Sequence, residues 1–221
     1  MFFEEHAKLL SDFARVSQSV GARADYVQGG GGNTSVKLSG GLMAIKASGF
    51  CLSDIRPDKA YAVLDGADLR NFYLTTEPSQ LADVEKEGSA RAKADVRHID
   101  GLADLRPSVE AGFHSILKTF VVHTHSVYAN LAACSMSCRQ IAAQAFAGAG
   151  YTWGWVPYTD PGANLTFAIR DELRRVEQET GKAPSVILMQ NHGIIVHDDD
   201  PDAALAIHTD ANERLARMFG L

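Results

Sequence analysis

Asn33-Thr34-Ser35-Val36-Lys37-Leu38-Ser39-Gly40-Gly41-Leu42-Met43-Ala44-Ile45-Lys46 is the stretch that decides the fold class. Val36-Lys37-Leu38 alternates apolar with polar, Gly40-Gly41 is a turn signal, and residues 42–46 form a second extended run, so the segment predicts a β-hairpin. A hairpin makes antiparallel neighbours. Outward from it, helices and short strands alternate without the steady βαβ spacing of a doubly wound fold. The expected class is therefore α/β, with a mixed, mainly antiparallel sheet covered by helices.

Residues 2–20 carry Phe2, Phe3, Leu9, Leu10, Phe13, Val16 and Val20 at helical intervals before Gly21, which predicts an amphipathic helix. Residues 61–64 and 72–74 are short strand candidates. Residues 77–106 are charged, alanine-rich and poor in large apolar side chains, as a surface flap would be. Pro107 opens a helix with Ser108 as its N-cap, and residues 120–122 form a strand. Alanine-rich helices follow around residues 127–133 and 140–146, then a turn-rich stretch, 156–162, and a helix over 164–179 closed by Gly181. Residues 185–190 and 194–196 are two halves of an apolar strand broken by Asn191-His192-Gly193, and residues 201–221 form a last helix.

The chain has 221 residues, 46% hydrophobic and 22% charged, which suits one domain over 1–221 with a proper core. Its 21 basic and 27 acidic residues give a formal charge of −6, which argues against nucleic acid or an anionic membrane as the main partner. Three cysteines, Cys51, Cys134 and Cys138, make no disulfide framework, no charged-then-apolar leader opens the chain, and no apolar run reaches the roughly 20 residues of a membrane span. A cytoplasmic protein with inert thiols is expected.

The chemistry begins where the strand Phe120-Val121-Val122 runs into His123-Thr124-His125. Alternation puts both imidazoles on one face, about 7 Å apart at the backbone, close enough to converge on one cation. Two histidines do not make a site. His192, beside Gly193 in the broken strand, is the natural third, and three histidines leave an open position for water or substrate. Glu110 stands at the start of a helix, whose dipole favours a carboxylate; it is placed either to close the metal shell or to act as a base. A cupin-type site would need a glutamate soon after the histidine pair, and an oxygenase facial triad would need an acid where His125 stands. His114, one turn after Glu110, is taken as packing or support. His197, beside Asp198-Asp199-Asp200, lies in a solvated acidic loop, and neither histidine is counted as a ligand.

The loop from Gly29 to Ser35 lacks the third glycine of a dinucleotide fingerprint and precedes a strand, and it is no Walker loop. Its amides, with Asn33 and Ser35, form a flexible cradle for a small oxyanion, with Ser48-Gly49 and Ser108 as further pieces.

Taken in order, Gly32-Asn33-Thr34-Ser35, Ala47-Ser48-Gly49, Pro107-Ser108-Val109-Glu110, His123-Thr124-His125 and Asn191-His192-Gly193 resemble the class II aldolase/adducin family, closest to its rhamnulose- and fuculose-phosphate-aldolase-like members. The resemblance implies a three-layer α/β/α sandwich and a metal-dependent aldolase that cleaves a phosphorylated ketose or sugar acid through a metal-stabilised enediolate. It implies zinc, or another divalent ion such as Mn2+ or Co2+, held by His123, His125 and His192. Glu110 would be the acid/base, and Asn33, Ser48, Gly49 and Ser108 would bind the substrate phosphate. A homotetramer is usual in the family.

Two departures bear on the substrate. Val109 stands where a second phosphate-gripping serine is common, and the tyrosine that some members use as proton donor is replaced by Ala142-Ala143-Gln144, with Tyr151 and Tyr158 as possible substitutes. An epimerase of the family tends to have aspartate at the position of Glu110; a decarboxylase or dehydratase would begin with the same carbonyl polarisation. A non-catalytic, adducin-like interaction domain would have eroded ligands, and here all three histidines are present.

Overall fold

The computed structural model of the protein describes residues 1–221. In chain order its elements are α1 (Phe2–Glu5), α2 (Ala7–Gly21), β1 (Asn33–Lys37), β2 (Leu42–Lys46), β3 (Tyr61–Asp65), α3 (Gly66–Thr75), α4 (Val84–Ala94), β4 (Val96–Arg97), α5 (Ala111–Ile116), β5 (Phe120–Thr124), α6 (Val127–Ala133), α7 (Cys138–Ala145), β6 (Trp153–Val156), α8 (Ala163–Thr180), β7 (Val186–Met189), β8 (Gly193–Asp198) and α9 (Pro201–Met218). The strands form one sheet in the order β4-β3-β2-β1-β5-β8-β7-β6. Every pairing is antiparallel except that of β6 with β7.

Alternation along the central strands builds three layers. Val36, Val63, Phe120 and Val122 point to one face, where α2 packs with Leu10, Phe13 and Val16. On the same face Leu188, Ile194 and Val196 meet α6, α7 and α9. The intervening residues Met43, Ile45, Leu64, Val121, Ile187 and Ile195 point the other way, into α3, α5 and α8. Each fully buried side chain of this size contributes about 1.5–3 kcal/mol, so both faces of the sheet hold helices firmly. The fold is an α/β/α sandwich, as the hairpin and the family resemblance imply.

Three segments differ from expectation. Residues 72–74 are helical, not a strand. Asp65 caps α3 by accepting from Asp68 N at 3.0 Å, and Leu69 and Tyr73, four residues apart, share its buried face. The 77–106 segment is no loose flap. Asp83 caps α4, β4 pairs with β3 at the sheet edge, and the Glu85 carboxylate accepts from Ala163 N at 2.9 Å and Asn164 N at 2.8 Å, capping α8. Within the alanine-rich, turn-rich region, β6 was not anticipated: Trp153-Gly154-Trp155-Val156 joins the edge by pairing with β7. Its two tryptophans are partly exposed, so the strand lacks the continuous apolar run that marks a buried one.

The end of β5 is braced from behind. Thr124 Oγ1 lies 2.8 Å from His208 Nε2 on α9, Ser126 donates to Asn212 Oδ1, and Asn212 donates to the His208 carbonyl at 2.8 Å. Tyr26 stands edge-on to His208 with ring centroids 4.7 Å apart. Burial, reinforced by Arg23, depresses His208 to about 3. In the unfolded chain the same imidazole titrates at about 6.5, so the unfolded state takes up a proton that the native state refuses. Stability is unaffected above that value and falls as the pH drops from 6.5 towards 3, by about 1.4 kcal/mol per pH unit for this group. Denaturant unfolding at pH 7.5, 6 and 5 should show this loss, and His208→Gln should flatten the slope by about one proton.

Candidate functional site

Val121 and His123 lie on the α5 face of β5, and His125, just past the strand, continues that row. Register sets Asn33 of β1 opposite His123, and His123 opposite Ile195 of β8. His192 stands in the turn between β7 and β8, where Asn191 adopts a left-handed backbone (φ 54°). There Gly193 passes so near β5 that a Cβ would lie 2.4 Å from the Thr124 carbonyl oxygen. Only glycine permits that approach, which brings His192 to the other two histidines.

One ring nitrogen from each of His123, His125 and His192 lies within 4.8 Å of the others. Nε2 of His123 is 3.1 Å from Nε2 of His125. Nδ1–H of His123 donates to the Ile194 carbonyl at 3.0 Å, which fixes the tautomer and leaves Nε2 as a lone pair facing the cluster. Burial pushes His123 down to about 3; Glu110 opposes the shift, and His192 and His125 add to it. Burial, with His192, lowers His125 as well. Both are neutral at neutral pH, the state in which imidazole ligates a metal.

Glu110, 5% exposed, is the N-cap of α5 and points into this cluster. Its Oε2 is 3.5 Å from His123 Nε2, and its Oε1 is 3.2 Å from His192 Nε2 without making a hydrogen bond. Burial opposes ionisation of Glu110, but the adjoining imidazoles and the Asn33 amide outweigh it and hold the carboxyl below the usual range. Three converging imidazoles and an orphaned carboxylate oxygen are the donor set and charge balance that a divalent cation satisfies, so these residues fit one.

A relay behind the site sets the Asn33 amide. The Ser35 hydroxyl lies 2.7 Å from His114 Nδ1, His114 Nε2 donates to Asn33 Oδ1, and Asn33 Nδ2 donates to Glu110 Oε2 at 2.6 Å and to Ser108 Oγ at 3.1 Å. Burial, aided by Lys37, holds His114 well below its usual range, so the ring is neutral and passes one hydrogen bond onward. His114 therefore supports the site and does not belong to the histidine cluster. Ser108 is not the helix cap expected of it: α5 begins at Ala111, and Ser108 Oγ accepts from Glu110 N at 3.3 Å. Pro107 sits in a single bridge to Ala47 that takes the chain out of the helix start.

That bridge lays the Ser48-Gly49 turn beside the Arg106-Ser108 segment. Ser48 N donates to the Arg106 carbonyl at 2.8 Å, and Arg106 Nη2 donates to Ser48 Oγ at 2.9 Å. Asn33, Ser108 and Glu110 are thus in direct contact, whereas Ser48 reaches only Arg106, two residues before Ser108, and Gly49 is exposed with open space around it. Sequence reasoning missed Lys46. Its buried ammonium donates to Gly30 O at 3.1 Å and Phe50 O at 2.7 Å, tying the glycine-rich loop to the Ser48-Gly49 turn. A lysine closing an apolar strand was the available signal. Beyond Ser108, a cleft of about 840 Å³ is walled by Arg106, Val109, Glu85, Lys93 and Gly162, so the 77–106 segment borders the site as a capped helix.

The remaining candidates stand elsewhere. Tyr151 donates to Asp210 at 2.8 Å, and Tyr158, 56% exposed, donates to Asp160 at 2.9 Å. Cys138 is buried, whereas Cys134 is exposed. His197 is buried at the opposite end of β8 and is not in a solvated loop.

A family model described as Class II Aldolase and Adducin N-terminal domain matches residues 11–219. Among solved structures, the N-terminal class II aldolase domain of a conserved protein from Thermoplasma acidophilum has a TM-score of 0.76 at 21% identity, covering 94% of this chain and 92% of that one. YgbL from Klebsiella pneumoniae, described as a candidate aldolase/epimerase/decarboxylase, has a TM-score of 0.64 at 17% identity, with coverages of 97% and 89%. The L-fuculose-1-phosphate aldolase of Thermus thermophilus gives 0.58 at 14%, with coverages of 97% and 94%. These likenesses are of fold. No curated protein sequence matches the chain.

Metal analysis of the purified protein should find about one divalent ion per chain. His123→Ala and His192→Ala should lose it, while His114→Gln should keep it. Retention in the first two variants would place the ion elsewhere.

Proposed function

We propose, because the chain belongs to the class II aldolase and adducin family, that it is a metal-dependent aldolase cleaving a phosphorylated ketose or sugar acid. The observation that carries this reading is the convergence of His123, His125 and His192 within 4.8 Å, with the Glu110 carboxylate 3.2–3.5 Å from two of them. His123, His125 and His192 would hold the ion, with zinc favoured by an all-imidazole set and Mn2+ or Co2+ as alternatives. When bound, it supplies Lewis acidity to a substrate carbonyl.

Retro-aldol cleavage requires the hydroxyl β to that carbonyl to lose its proton, the bond between the α and β carbons to break towards the carbonyl, and the α carbon to regain a proton. Glu110 is the group placed to move a proton there. Asn33 holds it by a 2.6 Å hydrogen bond, and the His114–Ser35 relay keeps the amide nitrogen, not its oxygen, towards the carboxylate. The Ser48 and Ser108 hydroxyls and the Gly49 amide would supply donors for the substrate's phosphate or carboxylate, and Asn33, whose two amide hydrogens go to Glu110 and Ser108, would complete that set by holding Ser108 in place. Val109, 66% exposed, offers no donor, so the anion relies on fewer hydroxyls than in members with a second serine. The protein acts as a homotetramer in the cytoplasm on this reading.

The metal-loaded protein should be incubated with ketose phosphates and sugar-acid phosphates, with dihydroxyacetone phosphate, pyruvate and carbon dioxide followed separately. A triose or pyruvate product with its aldehyde supports the aldolase; carbon dioxide alone moves the protein to the decarboxylases, and isomerised sugar without cleavage to the epimerases. Glu110→Gln should retain the ion and lose turnover by about 100-fold or more. Unchanged kinetics would remove Glu110 from the chemistry.

A further inference from the structure

At the other end of the sheet from the histidines lies a second cavity, of about 630 Å³. β1 connects the two: Asn33 is at the histidine end and Lys37 lines the cavity, four residues or about 13 Å away. Lys37, Arg70, Lys118, Arg170 and Arg174 line it, against the carboxylates of Glu177 and Asp199. That excess of positive charge stands out in a chain of net charge −6.

Three of the five cations are matched or partly matched. Lys118 pairs with Asp198 at 2.9 Å, Arg170 with Glu77 at 3.2 Å and Asp171 at 2.9 Å, and Arg174 approaches Asp171 at 3.9 Å. Lys37 and Arg70 have no carboxylate. Lys37 donates only to the His114 carbonyl, and Arg70 to the carbonyls of Ser115 and of Ile116, at 3.2 and 2.6 Å. These carbonyls belong to the C-terminal end of α5, whose dipole is equivalent to about half an elementary charge, too little to neutralise two full cations. Two of the three ammonium hydrogens of Lys37 are left without an acceptor.

Beside them His197, 3% exposed, lines the same cavity, and neither ring nitrogen makes a hydrogen bond; its approach to the Pro184 carbonyl falls short of one. Asp198, next in sequence, is already paired with Lys118, and Asp199 is engaged by Thr119 through its amide at 3.1 Å and its hydroxyl at 2.6 Å. Burial, with Arg70, holds the Lys37 ammonium well below its usual range, a cost that a bound anion would relieve. Leu38, Leu42 and Leu173 supply an apolar wall.

We propose that this cavity is a second ligand site, separate from the histidine cluster, which binds a compact dianion of the phosphate type, free or as the monoester of a small alcohol. Lys37, Arg70 and His197 form its floor, and Lys118 and Arg174 its rim. The leucine wall favours the ester over the free ion.

Calorimetric titration with inorganic phosphate and with propyl phosphate tests this, using the Ser48→Ala/Ser108→Ala double variant so that the hydroxyls of the other end do not contribute. Binding should persist in that variant, with the ester tighter than phosphate. Adding Lys37→Met should weaken it by about tenfold or more. Should Lys37→Met fail to fold, the exposed rim pair Lys118→Gln/Arg174→Gln should still weaken it severalfold. Absence of binding in the Ser48→Ala/Ser108→Ala protein would overturn the proposal. So would binding that a folded Lys37→Met or the rim pair leaves unchanged.

Discussion

The register of β1 against β5 is the constraint on which the site depends. Asn33 faces His123, Ser35 faces Val121, and all four side chains share the face covered by α5. A slip of one residue would turn Asn33 and Ser35 to the α2 face and send Thr34, which now bonds Ser17 there at 2.7 Å, into the cluster. The relay through His114 would be lost with it. Apolar alternation fixes this register at the cost of no special residue: Val36 and Val122 are already committed to the opposite layer.

Much of this was legible because it rests on period and punctuation. The hairpin of β1 and β2, the H-x-H strand and the long last helix each leave a clear trace in the chain, whereas the apolar run around His192 is not one interrupted strand: it reverses there into the antiparallel pair β7 and β8. Residues 72–74 misled because Phe-Tyr-Leu is equally at home in a strand or on a helix face; the decisive residue was Asp65, a cap seven positions upstream. The role of Glu85 was hidden for another reason. It caps a helix 78 positions away, and no local pattern announces a partner at that distance.

The site divided along the same line. Its histidines and Glu110 are conspicuous by residue type, whereas their supports are ordinary residues made important by position. Lys46 reads as a strand terminus, His114 as packing or support with no partner named, and Ser35 as part of an anion-binding loop; together they set the loop, the amide and the carboxylate. Ser108 failed as a cap because the bridge between Ala47 and Pro107 diverts the backbone, a long-range pairing that helix-start rules do not include.

The order of strands in the sheet has a consequence for how the protein is made. β5 lies between β1 and β8, and β8 is the last strand in the sequence. His123 holds its tautomer through the Ile194 carbonyl, 71 residues later, and Thr124 and Ser126 are braced by α9, later still. A chain emerging from the ribosome therefore exposes His123 and His125 well before the residues that orient them. Loop closure over that length has to precede any reward from the contacts. Completion of the histidine cluster is thus a late event in biogenesis, and a nascent chain carries it only in part.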